Sequence, residues 1–297
     1  MEPSQVLADW AYDAVSRAGL PVGDVSWLKR PDQAGGPAVT AGGAWVLRCG
    51  TTVVKFHAEP TDPEALRARL GVVTETLGQF WLPPLLPAPL IAPGNRLATV
   101  WAYRETVAPG GVEPWPQAGR LLAGLHALPP APDAHAIPQT GPDRLRRALA
   151  AAADAPDLLP SWLADRANSV LHADKVVSQA RWVHGDFHLG QLARDPDGCW
   201  KLIDPDDLGL GDPAWDLARP AALWAVGLLD DRSWTEFLQS YRQAGGPGVP
   251  ERGDPWPSLD IPARSAAIIM CVRETLRAPR SPASQTLLEA CRLMGSR

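Results

Sequence analysis

RWVHGDFHLGQLARDPDGCWKLIDPDDLGLGDPAWDL, the stretch at residues 181–217, holds the densest group of ionisable side chains in the chain. Carboxylates and imidazoles recur through it at short intervals, and we therefore take it as the candidate site. The residues of interest are His184, Asp186, His188, Gln191, Asp204, Asp206, Asp207, Asp212 and Asp216.

The middle of this stretch predicts a β-hairpin. Two strand-like runs, at 191–194 and 199–203, flank the sequence DPDG at 195–198. That sequence fits a type I turn, because Asp, Pro and Gly favour its first, second and last positions. In the expected register Arg194 pairs with Cys199.

The same register predicts a group of oxygen ligands at the open end of the hairpin. Gln191 lies opposite Leu202, so Gln191 and Asp204 should end near each other. The loop that carries Asp186 leads directly into that end. Two carboxylates and a carboxamide that converge in this way are suited to Mg²⁺.

Composition places the whole chain among ordinary globular proteins. It has 297 residues, 45% hydrophobic and 21% charged, with a net charge of −5. This charge argues against nucleic acid or an anionic membrane as the main partner. The most apolar run, Ala221–Leu229, is too short to span a bilayer.

The cysteines and the amino terminus predict a cytoplasmic protein. Cys49, Cys199, Cys271 and Cys291 are far apart and show no metal-ligand spacing, which favours a reduced compartment. The first residues are acidic and lack a basic segment followed by an apolar core, so we expect no signal peptide.

The amino-terminal part predicts a helix at 5–18 followed by an antiparallel meander, and one of its strands carries a lysine. Lysine is scarce, and Lys55 stands inside the apolar strand run at 52–56. An ammonium on a strand can point into a cleft and hold phosphate oxygens, or it can lie at an edge and face solvent. The next helix, capped by Asp62, offers Glu64 or Glu75 as its partner.

The rest of the chain predicts mostly helices around the single inserted hairpin. Periodic apolar residues predict helices that include one at 261–277, preceded by a loop at 245–257 rich in Gly and Pro. The expected fold class is α+β, with a small β-rich lobe at residues 1–107 and a larger helical lobe at residues 108–297.

Three segments in order resemble the aminoglycoside phosphotransferase and choline kinase family. HGDFHLGQ at 184–191 matches that family's HGDxxxxN loop, with Gln in place of Asn, and is more similar to the maltokinase and glucosamine-kinase branch. IDPD at 203–206 and GDPAWDLA at 211–218 match its metal-binding and G-D-P-x-x-D-L-A segments. The likeness spans roughly residues 25–225 and implies a two-lobe, protein-kinase-like fold.

The resemblance implies a kinase that transfers a phosphoryl group from ATP, with GTP as the alternative donor, to the hydroxyl of a small molecule. Asp186 would be the catalytic base. The residues 34–43 are a candidate phosphate cover. The other implied roles are Lys55 and Glu64 with Trp101, Ala102 and Tyr103 for the nucleotide, Gln191 and Asp204 for Mg²⁺, and His188 and Asp206 for the substrate.

Two other functions stay open at this point. A nucleotide-binding pseudokinase or regulatory module would share the fold without turnover. A metal-dependent hydrolase would use His184, Asp186 and His188 as ligands, although no further His or Cys follows at a suitable spacing. For a kinase, we expect an aminoglycoside-type antibiotic, a sugar or an amino sugar as acceptor. The sequence leaves the oligomeric state open.

Overall fold

The computed structural model describes residues 2–29, 43–107, 111–130, 137, 141–173 and 180–294. Most of the candidate phosphate cover at 34–43 lies outside these residues. Within them the chain is α+β, as predicted, with an antiparallel sheet first and helices after it.

The amino-terminal sheet is antiparallel throughout and has the order β1-β2-β3-β5-β4. Between β3 and β4 the chain forms α2, whose N-cap Asp62 accepts hydrogen bonds from two backbone N–H groups, as expected. The elements are α1 (Pro3–Arg17), β1 (Val25–Lys29), β2 (Trp45–Cys49), β3 (Thr52–Phe56), α2 (Pro63–Glu75), β4 (Leu90–Ala92) and β5 (Arg96–Ala102).

The carboxyl-terminal part is helical and contains two short two-stranded sheets, β6 with β9 and β7 with β8. The elements are α3 (Trp115–Ala127), α4 (Gly141–Ala153), α5 (Trp162–Ala173), β6 (Arg181–Val183), β7 (Leu192–Arg194), β8 (Trp200–Leu202), β9 (Gly209–Gly211), α6 (Ala214–Ala225), α7 (Asp231–Gln243), α8 (Trp256–Arg277) and α9 (Pro282–Leu293).

Helix α8 begins before the residue that the sequence predicts. It starts at Trp256, inside the expected loop, and continues through Pro262. The carboxylate of Asp254 accepts a hydrogen bond from the Trp256 N–H (3.0 Å), and Pro257 sits in the first turn. A proline is favourable there because the first N–H groups of a helix have no partner within it, so Pro257 opens the helix instead of stopping it.

Two hydrophobic clusters hold the described residues together. The smaller joins α1 to the sheet through residues such as Leu7, Leu47 and Phe56. The larger is built from the carboxyl-terminal helices and also includes Trp81, which is fully buried. The indole of Trp81 stacks on the His184 ring at 4.9 Å, so the segment after α2 packs directly beneath the candidate site. The boundary between lobes at residue 107 stays a prediction.

Candidate active site

Lys55 lies at the centre of the site, on the middle strand of the sheet. β3 pairs with β2 on one side and β5 on the other, so Lys55 is not on an edge strand. Its side chain is 11% exposed and its Nζ is ion-paired with Asp204 and, at 2.7 Å, with Asp206. Lys55 is therefore directed at two carboxylates and not toward solvent at a sheet edge, while its role in holding phosphate oxygens stays a prediction.

The two carboxylates reach Lys55 because the backbone turns sharply after β8. Asp204 has φ 63° and ψ 72°, in the left-handed region, and the next three residues form a 3₁₀ turn. A non-glycine residue pays for this conformation with local strain, which surrounding contacts must offset. The ion pair with Lys55 is such a contact, and it fixes both acids on one side of the turn.

Lys55 and Asp206 are both charged in this cluster. Burial alone would lower the pKa of Lys55, but Asp204 and Asp206 outweigh it and the pKa is raised. Burial would raise the pKa of Asp206, but Lys55 and His57 outweigh it and this pKa is well below its usual range. One oxygen of Asp206, Oδ1, is buried and has no hydrogen-bond partner. A carboxylate oxygen left without a donor is a favourable ligand for a cation.

A chain of hydrogen bonds extends this cluster along the sheet. The Nδ1 atom of His57 lies 3.2 Å from Asp206, and its Nε2 atom lies 2.8 Å from the Thr99 hydroxyl. The indole N–H of Trp101 donates to the same hydroxyl at 2.8 Å. His57 directly follows β3, two residues after Lys55, and both side chains contact Asp206 on the same face of the sheet. The strand alternation in the sequence was the signal that could have identified it.

Gln191 and Asp204 do come together, although the hairpin differs by one residue from the prediction. Arg194 pairs with Trp200, not Cys199, and Leu192 instead of Gln191 faces Leu202. The cause is Gly198, whose φ of 81° adds a residue to the turn, as a bulge does.

Gln191 therefore lies just before β7, in a 3₁₀ turn, where its carbonyl accepts a hydrogen bond from Ile203 (3.0 Å). Its side-chain Nε2 lies 3.4 Å from Asp204 Oδ2. Rotation of this amide about its last bond would present the oxygen to a cation instead. The donor set of Gln191 and Asp204, with the unpartnered oxygen of Asp206 beside it, fits a Mg²⁺ ion.

The loop that carries Asp186 is held from below by a buried acid. Asp216 is fully buried and accepts hydrogen bonds from the backbone N–H of His184 (2.6 Å) and of Gly185 (2.8 Å). It also contacts His126 (2.9 Å), whose other ring nitrogen lies 2.8 Å from the Tyr241 hydroxyl. Burial would raise the pKa of Asp216, but His126 and His184 together outweigh it and the pKa is lowered.

Gly185 cannot be replaced without moving this loop. Its φ is 83°, and a Cβ atom there would lie 2.1 Å from the Asp207 carbonyl oxygen. Only glycine combines that conformation with so close an approach of two backbones. The loop at 184–186 and the turn at 205–207 are consequently packed as one unit.

The carboxylate of Asp186 is surrounded by arginines and lies on the side of the loop away from Lys55. Its Oδ1 pairs with Arg144 Nη2 at 2.5 Å, while Arg219 and Arg273 lie 3.8 Å away. Burial would raise its pKa, but Arg144, Arg273 and Arg219 outweigh it and the pKa is lowered. Asp186 is therefore a carboxylate, able to accept a hydrogen bond, throughout the ordinary pH range.

His188 is a neutral imidazole that caps a short turn. Its side chain accepts a hydrogen bond from the Gly190 N–H at 3.1 Å. Burial, with Arg219 next in size, lowers its pKa to about 3. The ring nitrogen that accepts from Gly190 leaves the other as an N–H donor.

The predicted nucleotide residues lie in the last two positions of β5 and directly after it. Trp101 and Ala102 close β5 and pair with β3, and Tyr103 donates its N–H to the Thr51 carbonyl at 2.8 Å. The guanidinium of Arg48 covers the Tyr103 ring at 3.7 Å. All three predicted residues are partly exposed, on the strand next to that of Lys55.

The structure does not bring Glu64 to Lys55. Glu64 and Glu75 are exposed at opposite ends of α2, and among the described residues the carboxylate partners of Lys55 are Asp204 and Asp206. The Asp62 cap fixes the rotation of α2 and places Glu64 toward solvent. The inner face carries a cation instead, Arg69, whose Nε donates to the Leu208 carbonyl at 2.8 Å.

Several residues of the site had no signal in the sequence. Arg144, Arg219 and Arg273 come from α4, α6 and α8, far apart in the chain, and each stands on an amphipathic helix like many other arginines. Lys29 ends β1. Burial is the largest cause that lowers its pKa, and the positive charge of Lys55 is the second. Lysine scarcity alone was a weak signal for Lys29.

With this geometry established, similarity to known proteins defines the class. Residues 39–256 match the family model described as phosphotransferase enzyme family. The match covers well over half of the chain, and the chain therefore belongs to this family. No curated protein sequence matches the chain. The expectation of an enzyme that transfers phosphoryl groups is confirmed.

Solved structures with the same fold cover nearly the whole chain at low identity. A choline/ethanolamine kinase family protein from Mesorhizobium loti has a TM-score of 0.61 at 15% identity, covering 98% of this chain and 95% of that one. Choline kinase LicA from Streptococcus pneumoniae has a TM-score of 0.63 at 14% identity, covering 97% and 99%. Spectinomycin phosphotransferase APH(9)-Ia, solved with ADP and spectinomycin, has 0.58 at 13%, covering 98% and 94%. The predicted protein-kinase-like fold is confirmed.

Among the described residues, no helix is long and apolar enough to cross a membrane. Nor do those residues contain a group of three or more His, Cys, Asp or Glu side chains arranged to hold a metal ion. His184 and His188 are engaged with the Ile203 carbonyl and the Gly190 N–H, so the ligand cluster that a metal-dependent hydrolase would need is not formed.

Proposed function

We propose that this enzyme transfers the γ-phosphoryl group of ATP to a hydroxyl group of a small molecule. The observation that carries the proposal is the ion pairing of Lys55 with Asp204 and Asp206, close to a loop that presents Asp186 on its other side. Phosphoryl transfer requires position and charge neutralisation more than covalent chemistry, and this arrangement supplies both.

The nucleotide would lie along the end of β5, with its base beside Trp101, Ala102 and Tyr103. Lys55 would exchange part of its pairing with Asp204 for the phosphate oxygens, and Lys29, at the end of β1, would add a second positive charge. The bound ADP of the spectinomycin phosphotransferase supports a nucleotide in this fold. ATP and GTP are both candidates until they are compared directly.

Gln191 and Asp204 would hold Mg²⁺, with Asp206 beside them. When bound at these residues, Mg²⁺ would supply positive charge that reduces the repulsion an incoming hydroxyl meets. The residues of the chain provide the remaining requirements. Lys55 keeps the two acids oriented, and the left-handed turn at Asp204 presents its carboxylate to the same point.

Asp186 would orient the acceptor hydroxyl and take its proton as the new bond forms. Its lowered pKa keeps it ionised, and Arg144 fixes its side chain while also donating to the Gly185 carbonyl at 2.7 Å. His188 and Asp206 were expected to contact the acceptor. The neutral His188 fits that role as an N–H donor near Arg219, whereas Asp206 is engaged by Lys55 and His57 and belongs with the nucleotide and metal.

The test is the release of nucleoside diphosphate with ATP or GTP, with and without Mg²⁺, across a panel of hydroxyl compounds. We expect one acceptor class to stimulate release in a manner that requires Asp186 and Asp204. Nucleotide binding without stimulated release by any acceptor would favour the pseudokinase instead. The acceptor panel should include sugars, amino sugars and aminoglycosides, which are the classes expected from the sequence.

A further inference from the structure

A cavity of about 250 Å³ opens beside Asp186 on the side away from Lys55. Helices α4, α6, α8 and α9 form its walls. Its apolar lining comes from residues such as Ile269, Met270 and Leu287, and its polar lining is dominated by arginine. Because Asp186 borders this cavity, an acceptor bound there would present its hydroxyl to the proposed base.

The charge of this cavity is positive, opposite in sign to that of the chain as a whole. Arg144, Arg219 and Arg273 surround the single carboxylate of Asp186 at 2.5 to 3.8 Å. A further arginine on the wall, Arg277, is already neutralised by Glu274 through hydrogen bonds of 2.8 to 3.0 Å. Arg144 also lies 3.8 Å from Asp207, which pairs with Arg147 at 3.2 Å, so the guanidinium groups here outnumber the acids, in a protein of net charge −5.

These guanidinium groups retain free hydrogen-bonding capacity. Arg144 is 8% exposed, and its buried Nε has no hydrogen-bond partner. Among the described residues, Arg219 and Arg273 reach a carboxylate only at 3.8 Å, which is too long for a hydrogen bond. Burial lowers the pKa of both, Asp186 opposes this effect, and Arg144 adds to it.

We propose that these arginines bind an anionic group of the acceptor, so that the substrate is a small hydroxyl compound carrying a carboxylate or a phosphate. The inference rests on the proposed function and narrows its substrate class. Guanidinium groups hold either anion through two parallel hydrogen bonds, which also fixes its orientation.

The distances limit the size of this substrate. Arg219 and Arg273 lie within 4 Å of the carboxylate that would receive the hydroxyl, so the anionic group and the reacting hydroxyl must be only a few bonds apart. A sugar acid or a sugar phosphate meets this condition. An aminoglycoside does not, because its ammonium groups would enter a positive cavity whose two lining carboxylates, Asp186 and Glu274, are already paired.

The same arginines have one other possible use, which is to hold the phosphoryl group during transfer. The two uses predict different kinetics. Arginines that bind the acceptor affect KM for anionic acceptors, whereas arginines that hold the transferred group affect kcat for every acceptor and for water. The experiment is designed around this difference.

We would measure kcat and KM for gluconate, glucose 6-phosphate, glucose, glucosamine and kanamycin with saturating Mg-ATP, and binding of each by calorimetry. The enzyme should prefer gluconate or glucose 6-phosphate, and comparison of the two separates carboxylate from phosphate recognition. Arg273→Gln and Arg219→Gln should each lower kcat/KM for the preferred acid on the order of 10–100-fold, through KM. Arg264→Gln, on the same helix but outside the cavity, is the matched control.

Equal or better use of glucose, glucosamine or kanamycin would overturn the inference and leave the proposed function standing. A fall in kcat for all acceptors and for acceptor-independent ATP hydrolysis in Arg273→Gln would also overturn it. If no acceptor is turned over, the proposed function fails. The calorimetric arm still decides the inference in that case, since binding of an acid that requires Arg273 supports it and absence of such binding overturns it.

Discussion

The Nζ atom of Lys55 lies 2.7 Å from the carboxylate of Asp206, and the two residues come from different parts of the fold. Lys55 belongs to the amino-terminal sheet and Asp206 to the turn after β8. The same ammonium pairs with Asp204, so one cation holds two acids that would otherwise repel each other. Lys55 thus joins the sheet to the turn that carries both acids of the proposed metal site.

Lys55→Met should make the protein depend on Mg²⁺ for stability. The variant leaves Asp204 and Asp206 without their cation, and because both are about one-third exposed we expect a loss of about 1–3 kcal/mol in the free energy of unfolding. Added Mg²⁺ should restore part of this loss, and it should raise the Tm of the variant more than that of the wild type. Thermal unfolding with and without Mg²⁺ is the measurement, with Lys201→Met as the control. An equal Mg²⁺ effect on both proteins would contradict the proposed metal site.

Asp186→Asn should abolish most turnover without unfolding the protein. The amide keeps the shape of the side chain but cannot take a proton, so kcat should fall by ~10²–10⁴-fold. Nucleotide affinity should change little, because Asp186 faces the acceptor cavity instead of Lys55. Steady-state kinetics and a nucleotide-binding titration on the same preparation test this. Near-normal kcat would remove Asp186 from its role as base.

Gly185→Ala and Gly198→Ala form a matched pair, which separates the cost of a left-handed backbone conformation from the cost of a steric clash. Both residues have positive φ, 83° and 81°. A Cβ at Gly185 would meet the Asp207 carbonyl oxygen at 2.1 Å, whereas one at Gly198 would meet nothing within 4 Å. Gly198→Ala should cost ~1 kcal/mol of stability and keep kcat, since only the left-handed conformation is penalised.

Gly185→Ala should lower kcat by more than about tenfold relative to the wild type, because the new Cβ would force the loop at 184–186 away from Asp207. Kinetic assays and urea unfolding of both variants give the comparison. Similar kcat values in the two variants would show that the contact between Gly185 and Asp207 does not position the catalytic loop.

His188 should make the protein less stable as the pH falls below neutrality. Its pKa is lowered from 6.5 to about 3 in the folded protein, so between these values the unfolded chain binds a proton that the folded protein does not. The free energy of unfolding should therefore decrease by up to ~1.4 kcal/mol per pH unit as the pH drops from 6.5. His188→Gln should reduce this dependence, measured by urea unfolding at pH 7 and pH 5. If His188→Gln left the pH dependence of the free energy of unfolding unchanged, the lowered pKa of His188 would be contradicted.

The sequence predicted the parts of the site that lie close together in the chain and missed those that tertiary packing assembles. The hairpin brought Gln191 to Asp204 even with a register error of one residue, because the side chains just beyond a hairpin end stay neighbours. The expected pairing of Lys55 with Glu64 failed because the rotation of α2 directs Glu64 toward solvent. The Asp62 cap determines that rotation, and no local pattern in the sequence revealed it. Arg144, Arg219 and Arg273 meet only because three helices pack around one cavity.

The hydrogen bonds of Asp216 bear on which parts of such an enzyme can change in sequence during evolution. Asp216 fastens the catalytic loop to α3 and α7 through His126 and Tyr241, and Tyr241 also accepts a hydrogen bond from the Gly248 N–H at 2.8 Å. The arginine-bearing wall formed by α8 takes no part in this chain of contacts. Natural selection can therefore exchange residues on that wall, and with them the acceptor proposed above, while the loop that carries Asp186 keeps its shape.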